Sequence, residues 1–215
     1  MPELNKYPVS KIKWHTDDLV QIFFHGFDQS FVAGEHVTLS TLNNYEAREY
    51  SIYSGENEKG ISLLIKIVED GYFTPKLREL KEKEELLIGK PHGAFSFNAD
   101  AKGKHWFIST GTGVAPMNSM IKTHSVKNYH LVHGVRKFVD ASPSAHFPRE
   151  KLEVCVSREK SVSKFKHVTE FISSQRFKNE DCFYLCGNGS MVYDCKNLLR
   201  DMDISPEKIF TEVYF

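Results

Sequence analysis

At 215 residues the chain is long enough for one large domain or two compact ones of about 100 residues each, and either can bury a real core. It is 40% apolar and 26% charged, too apolar for a disordered chain, and 28 Lys+Arg against 28 Asp+Glu leave no basic excess of the kind a general nucleic-acid binder shows. No apolar run is long enough to span a bilayer, and the segment Met1–Lys6 lacks the apolar stretch of a secretory signal, so the sequence predicts a cytoplasmic protein.

The first hundred residues read as strands. Val20–Phe24, His36–Leu39, Glu49–Tyr53 and Ile61–Val68 are short, rich in β-branched and aromatic residues and partly alternating. Turn signals at Ala33–Glu35, Gly55–Gly60 and Glu69–Gly71 separate them, and this spacing predicts a small antiparallel barrel. A helix is expected to begin at Thr74-Pro75 as N-cap and first residue, with Leu77, Leu80 and Leu86 on its apolar side.

From about residue 103 strands alternate with helices. The strands are His105–Ser109, Tyr129–His133, Leu152–Val156, Cys182–Cys186 and Ile209–Val213, and stretches 115–125, 167–175 and 189–201 suit helices. This alternation predicts a parallel sheet covered on both faces. The polar segment Asn98–Gly103 marks the expected boundary, giving domains 1–99 and 100–215. Cys155, Cys182, Cys186 and Cys195 have the spacing of no zinc ribbon and no iron–sulfur ligand set, and read as reduced thiols.

Several segments carry chemistry. Arg48-Glu49-Tyr50-Ser51, after the turn-like Asn43-Asn44, is either an ordinary strand or a flavin site, with Arg48 for a phosphate, Tyr50 for stacking and Ser51 for a ring nitrogen. Alternation puts Arg48 and Tyr50 on one face. Ile65, Lys66 and the run Gly71-Tyr72-Phe73-Thr74 lead to a helix start, either a plain capped helix or a pyrophosphate site. Gly89–Phe95 is turn chemistry or a domain seam. Gly111-Thr112-Gly113-Val114-Ala115-Pro116 follows a strand and opens a helix, the context of a phosphate-binding turn, although it is not the longer dinucleotide fingerprint. Cys186-Gly187-Asn188-Gly189 occupies the equivalent place on another strand, where Cys186 is either a site thiol or an inert buried one. Ser157 and Arg158, with Arg136, stand at strand ends where a 2′-phosphate would be read, and each basic residue alone also reads as a solvated charge.

Taken together, Arg48-x-Tyr50-Ser51, Gly71-x-x-Thr74, Pro91-x-Gly93-x-Phe95, Gly111-Thr-Gly-x-Ala-Pro116, Cys186-Gly187 and the terminal Glu212-Val213-Tyr214 resemble the ferredoxin–NADP⁺ reductase family, in its order and spacing, from about residue 5 to the end. The resemblance implies an N-terminal FAD-binding barrel followed by a parallel-sheet α/β domain for NADP. It implies that Arg48 and Gly71–Thr74 bind the FAD phosphates, that Tyr50 stacks on the isoalloxazine, and that Ser51 lies near N5. Thr112 and Cys186 would border the nicotinamide, with Gly113 and Gly187 also binding cofactor, Ser157 and Arg158 would hold the 2′-phosphate, and Tyr214 would cover the other flavin face. Glu212 would lie close to the flavin and act with Ser51 and Cys186 as the catalytic group. Phe215 extends past the plant-type ending and would contact the adenine, as in bacterial-type members. A further Arg of those members is replaced by His167, preceded by Lys166.

The implied activity is hydride transfer from NADPH to flavin N5, then single-electron transfer to ferredoxin or flavodoxin by a monomeric enzyme. Lys76, Arg78 and Lys90 are the basic residues expected to meet that acidic carrier. The rivals are a flavin reductase or oxygenase-partner reductase on the same fold, and a non-catalytic binding module.

Overall fold

The computed structural model describes residues 3–42, 46–160 and 162–214. The predicted Asn43-Asn44 turn and Phe215 lie outside them. The N-terminal part holds strands β1 (Leu4–Pro8), β2 (Lys11–Thr16), β3 (Leu19–Phe24), β4 (His36–Thr41), β5 (Arg48–Ser51), β6 (Ile61–Lys66) and β7 (Glu85–Gly89). They form two antiparallel sheets, ordered β1-β7-β4-β5 and β2-β3-β6. The Ile52–Leu63 bridge links β5 to β6, so the sheets curl around one core of Val20, Ile22, Phe24, Val37, Leu39, Leu63, Ile65 and their neighbours. Alternation explains the inward set, since residues two apart on a strand share a face.

Four elements differ from the expectation. Strands β1, β2 and β7 are additional. The helix at Thr74 is a single 3₁₀ stretch, Thr74–Arg78. It cannot continue to Leu86, because Lys83 sits in the left-handed region at φ 76° and Leu86 belongs to β7, opposite Tyr7 and Thr41. Thr74 is also no cap. Its hydroxyl accepts from the Val68 amide at 2.9 Å and closes the loop 68–74.

The C-terminal part follows the expected alternation: β8 (His105–Thr110), α1 (Val114–Thr123), β9 (Tyr129–Val135), β10 (Leu152–Val156), α2 (Val168–Ser173), β11 (Cys182–Asn188), α3 (Gly189–Asp201) and β12 (Ile209–Tyr214). The five strands are parallel in the order β10-β9-β8-β11-β12. Chain order reverses between β8 and β11, which makes their carboxyl ends the switch point where open α/β sheets bind ligands. Tyr184 fills the centre of one face, stacked at 4.8 Å on Phe107 and 5.1 Å on Phe210. The same apolar cluster takes in Leu19, Ala33, Tyr53 and Leu64 from the antiparallel part, so the two parts share one packed seam. All four cysteines are free and buried. Among the described residues, no helix is long and apolar enough to cross a membrane.

Candidate functional site

The seam opens into a cleft of about 960 Å³ at the carboxyl ends of the parallel strands. Its floor is glycine packed on backbone. A Cβ on Gly113 would stand 2.3 Å from the Cys186 carbonyl oxygen, and one on Gly187 would stand 2.3 Å from Thr110 Oγ1. Gly187 also has φ 138°, which L side chains rarely adopt. The Asn188 amide donates to Thr110 Oγ1 at 3.2 Å, so the loops after β8 and β11 are locked together. Gly111 is different. It has φ 54° and nothing within 4 Å of where a Cβ would be, so its bare backbone faces the opening. A cradle that any side chain would partly fill fits an extended phosphate-bearing ligand. Pro116 lies in the first turn of α1, where its missing N–H is no loss. A second hollow, of about 580 Å³ by Trp14, His15 and Arg78, contains none of the glycine motifs.

Beside the cleft lies a hydrogen-bonded cluster drawn from three distant segments. Ser51 ends β5 and its hydroxyl donates to Glu212 Oε2 at 2.9 Å. The Tyr214 hydroxyl donates to Ser51 Oγ at 2.7 Å. The Cys186 thiol donates to the same Glu212 oxygen at 3.6 Å. Parallel register explains part of this: Cys186 faces Glu212 and Asn188 faces Tyr214 across β11 and β12. The three residues expected to act together, Ser51, Cys186 and Glu212, are thus brought together with Tyr214. Burial, and next the Glu212 charge, push the Cys186 thiol well above the usual range, so it remains a protonated donor. Sequence reasoning missed His36. Its Nδ1 lies 3.4 Å from Glu212 Oε1, and that contact raises its pKa.

The other predicted residues divide by location. Alternation puts Tyr50 opposite Val37 and Arg48 opposite Leu39, on one face of β5. Tyr50 is half-buried, and the Phe73 ring lies 6.2 Å from it, so β5 meets the 71–74 loop. Arg48 is exposed and reaches the Ala47 carbonyl and the Glu46 carboxylate. Ile65 and Phe73 have their side chains in the core, leaving only their backbone for a ligand. Tyr72 is exposed, with Lys76 Nζ 3.7 Å from its ring centre. Gly71 donates to Val68 in the turn before the 3₁₀ helix. Lys66 lines the cleft and ties the two parts together, bonding Asp18 at 2.6 Å and Asp140 at 3.5 Å. Thr112, Arg136 and Ser157 line the cleft, as do Lys166 and His167, whereas Arg158 is not among its lining residues, and its backbone amide donates to the Arg136 carbonyl at 2.9 Å. Of the expected basic patch, Arg78 is paired with Glu69, and Lys90 lies 3.8 Å from Glu3.

Under the cleft, His133 is fully buried. Its Nε2 lies 2.9 Å from the Gly111 carbonyl oxygen and its Nδ1 2.9 Å from Ser144 Oγ. A carbonyl only accepts, so the neutral ring carries its proton on Nε2 and supports the phosphate-type turn from below. Burial lowers its pKa to about 4. The unfolded chain therefore binds this proton near pH 6.5 and the native state does not, so stability falls as pH drops from about 6.5 towards 4. At pH 4.5 the loss from this group is about 2.5 kcal/mol. Urea unfolding at pH 7 and 4.5 should show a smaller pH effect in His133→Gln, by about that amount. An equal pH effect in both proteins would contradict this reading.

Residues 24–97 match the oxidoreductase FAD-binding domain family. The flavodoxin/ferredoxin–NADP reductase of Buchnera aphidicola is 26% identical, over 89% of this chain and 88% of that protein. The toluate 1,2-dioxygenase electron transfer component of Pseudomonas putida is 25% identical over 86% of this chain, which spans 59% of that protein. A crystal structure of a ferredoxin NADP⁺ reductase from Neisseria gonorrhoeae, with bound FAD and NADP, superposes with a TM-score of 0.88 at 18% identity and covers all of both chains.

Proposed function

We propose that this chain, whose residues 24–97 match the oxidoreductase FAD-binding domain family, works as a ferredoxin–NADP reductase, transferring electrons between NADPH and a one-electron protein carrier, a ferredoxin or flavodoxin. In this reading residues 1–99 hold FAD and residues 100–215 the nicotinamide nucleotide. The observation that carries it is the Ser51–Glu212–Tyr214 cluster at a cleft floored by Gly113 and Gly187. Bound FAD supplies a ring that takes two electrons as a hydride and gives them up singly.

The chain's own residues bind, orient and hold protons. Tyr50 offers a flat half-buried face, and exposed Arg48 a fork of donors for phosphate. Gly111–Gly113 and Gly187 let a nucleotide approach backbone N–H groups closely. Ser51 and Glu212 hold a proton at the end of β5. Tyr214 covers Ser51 and lines the cleft, so an entering nicotinamide would displace it. Arg136 and Lys166 place two cations near Ser157, a setting for a 2′-phosphate that does not require the Arg158 side chain.

The likeness to an oxygenase electron transfer component favours a second reading, delivery to an oxygenase partner. A visible spectrum with NADPH or NADH, followed by addition of a ferredoxin, a flavodoxin or free flavin, separates these. The expected result is a flavin spectrum bleached faster by NADPH, with carrier reduction exceeding free-flavin reduction. A protein that cannot take up FAD would end the catalytic reading. Replacing both Arg136 and Lys166 by Ala should raise KM for NADPH about tenfold or more, the loss of roughly 1.4 kcal/mol, and leave KM for NADH nearly unchanged. Equal effects on both nucleotides would reject the 2′-phosphate assignment.

A further inference from the structure

On the outer side of the Glu212 cluster, His36 and His92 pair through their backbones. The His36 amide donates to the His92 carbonyl at 2.9 Å, and the His92 amide donates to the His36 carbonyl at 3.0 Å. This bridge holds the two rings side by side, with centres 4.3 Å apart. Glu49 faces Thr38 across β4 and β5, two residues from His36, so it projects from the same face of the sheet. Its carboxylate lies between the rings, 3.7 Å from His36 Nε2 and 3.4 Å from His92 Nε2. All three ligand atoms lie within 4.8 Å of one another, and no other such group of His, Cys, Asp or Glu occurs among the described residues.

From this geometry we propose that His36, Glu49 and His92 form a binding site for a divalent transition-metal ion, Zn²⁺ in particular. The far side of each ring supports it. His92 Nδ1 lies 3.0 Å from the Lys90 carbonyl, which only accepts, so Nδ1 carries a proton, and an ion between Nε2 and the Glu49 carboxylate would meet the lone pair of the neutral ring. His36 Nδ1 faces the Glu212 carboxylate at 3.4 Å, which favours the same tautomer. Metal-ligating histidines are oriented in this way by a carboxylate or carbonyl behind the ring. Gly93 packs on the His36 ring, where a Cβ would stand 3.1 Å from Nδ1, so the ring keeps this position only beside glycine. Bonds of about 2.0–2.2 Å in a tetrahedron set ligand atoms roughly 3.3 Å apart. The two carboxylate–imidazole separations, one to each Glu49 oxygen, are near that value, and all three ligand atoms need close by no more than about 1.5 Å from their 4.8 Å limit. His92 is about half exposed and can swing, and the 64% exposure of the Glu49 side chain leaves an entry path and a fourth position for water. Two imidazoles and one carboxylate suit zinc and its neighbours better than magnesium or calcium.

The test titrates the purified full-length protein with ZnCl₂ by calorimetry and by competition with a chromophoric chelator. The expected result is saturable binding of one ion per chain, weakened about tenfold or more in both His92→Ala and Glu49→Gln. Circular dichroism and thermal unfolding without metal should match the parent, because both side chains are exposed. Co²⁺ in place of Zn²⁺ should give the ligand-field absorption of a nitrogen-coordinated ion, and His92→Ala should lose it. Absence of saturable binding, or wild-type affinity in both folded variants, would overturn the proposal. The readout needs no electron transfer, so its failure would leave the proposed redox function standing.

Discussion

Ser51→Ala should slow reduction of the bound flavin by NADPH on the order of 100-fold, with little change in FAD affinity. Ser51 is buried, accepts from Tyr214 at 2.7 Å and donates to Glu212 at 2.9 Å. It therefore links the Glu212 carboxylate to Tyr214, which lines the cleft. Positioned proton donors and acceptors contribute about 10²–10⁴-fold where a proton moves in the transition state, and the Ser51–Glu212 pair is such a group. Glu212→Gln keeps the shape but replaces a pure acceptor with an amide, and should lose a similar factor. Because the two side chains share one hydrogen bond, their effects should not multiply, and the double variant should be about as slow as the worse single one. Stopped-flow reduction at saturating NADPH measures this directly. A double variant slowed by the product of the single factors would mean that Ser51 and Glu212 act independently. The single change leaves the Tyr214 hydroxyl short of an acceptor, which costs about 1–3 kcal/mol and should appear as a lower midpoint in urea.

The parallel sheet was legible because its strands announce themselves. Cys182–Cys186 is a continuous apolar run ended by glycine, and every residue in it is buried, as strands covered on both faces require. The antiparallel strands were harder. In β2 the residues Lys11–Thr16 are nowhere fully buried, and in β1 only Tyr7 is, so neither shows the clean alternation of a half-buried strand. Leu77 and Leu80 alone have helical spacing, and nothing in the sequence marks the positive φ at Lys83 that separates them from Leu86. In the site, glycine turns at strand ends were readable from local chemistry. The meeting of Ser51 with Glu212, 161 residues away, was not, and rested on family resemblance. His36 escaped notice because its neighbours Val37-Thr38-Leu39 mark only a strand. Its partners Glu49, His92 and Glu212 come from other strands and from a backbone bridge. Ile65 and Phe73 show the opposite limit: a motif can name the right segment while the side chains within it serve the core.

Gly113→Ala should destabilise the protein by about 3 kcal/mol and abolish measurable nucleotide binding, whereas Gly111→Ala, two residues away, should do neither to that degree. The added methyl at 113 would lie 2.3 Å from the Cys186 oxygen, 2.6 Å from its carbonyl carbon and 2.9 Å from Gly187 Cα. All three are backbone atoms, so no rotamer change relieves the contact and the loops after β8 and β11 must part. Overpacking a rigid site costs about 1–3 kcal/mol or more, and this site is backed by the buried Cys186 and Val114. At Gly111 the methyl meets nothing within 4 Å, and the cost is the left-handed backbone at φ 54°, about 1–2 kcal/mol. That methyl would project into open space at the cleft and weaken NADP⁺ binding by crowding while the loops stay together. Urea unfolding and calorimetric titration with NADP⁺ therefore separate the two glycines by mechanism. The Gly113 variant should lose stability and binding together, and the Gly111 variant mainly binding. A Gly113→Ala protein as stable as its parent would mean that the two loops are not held in backbone contact, and the cleft floor would need another explanation.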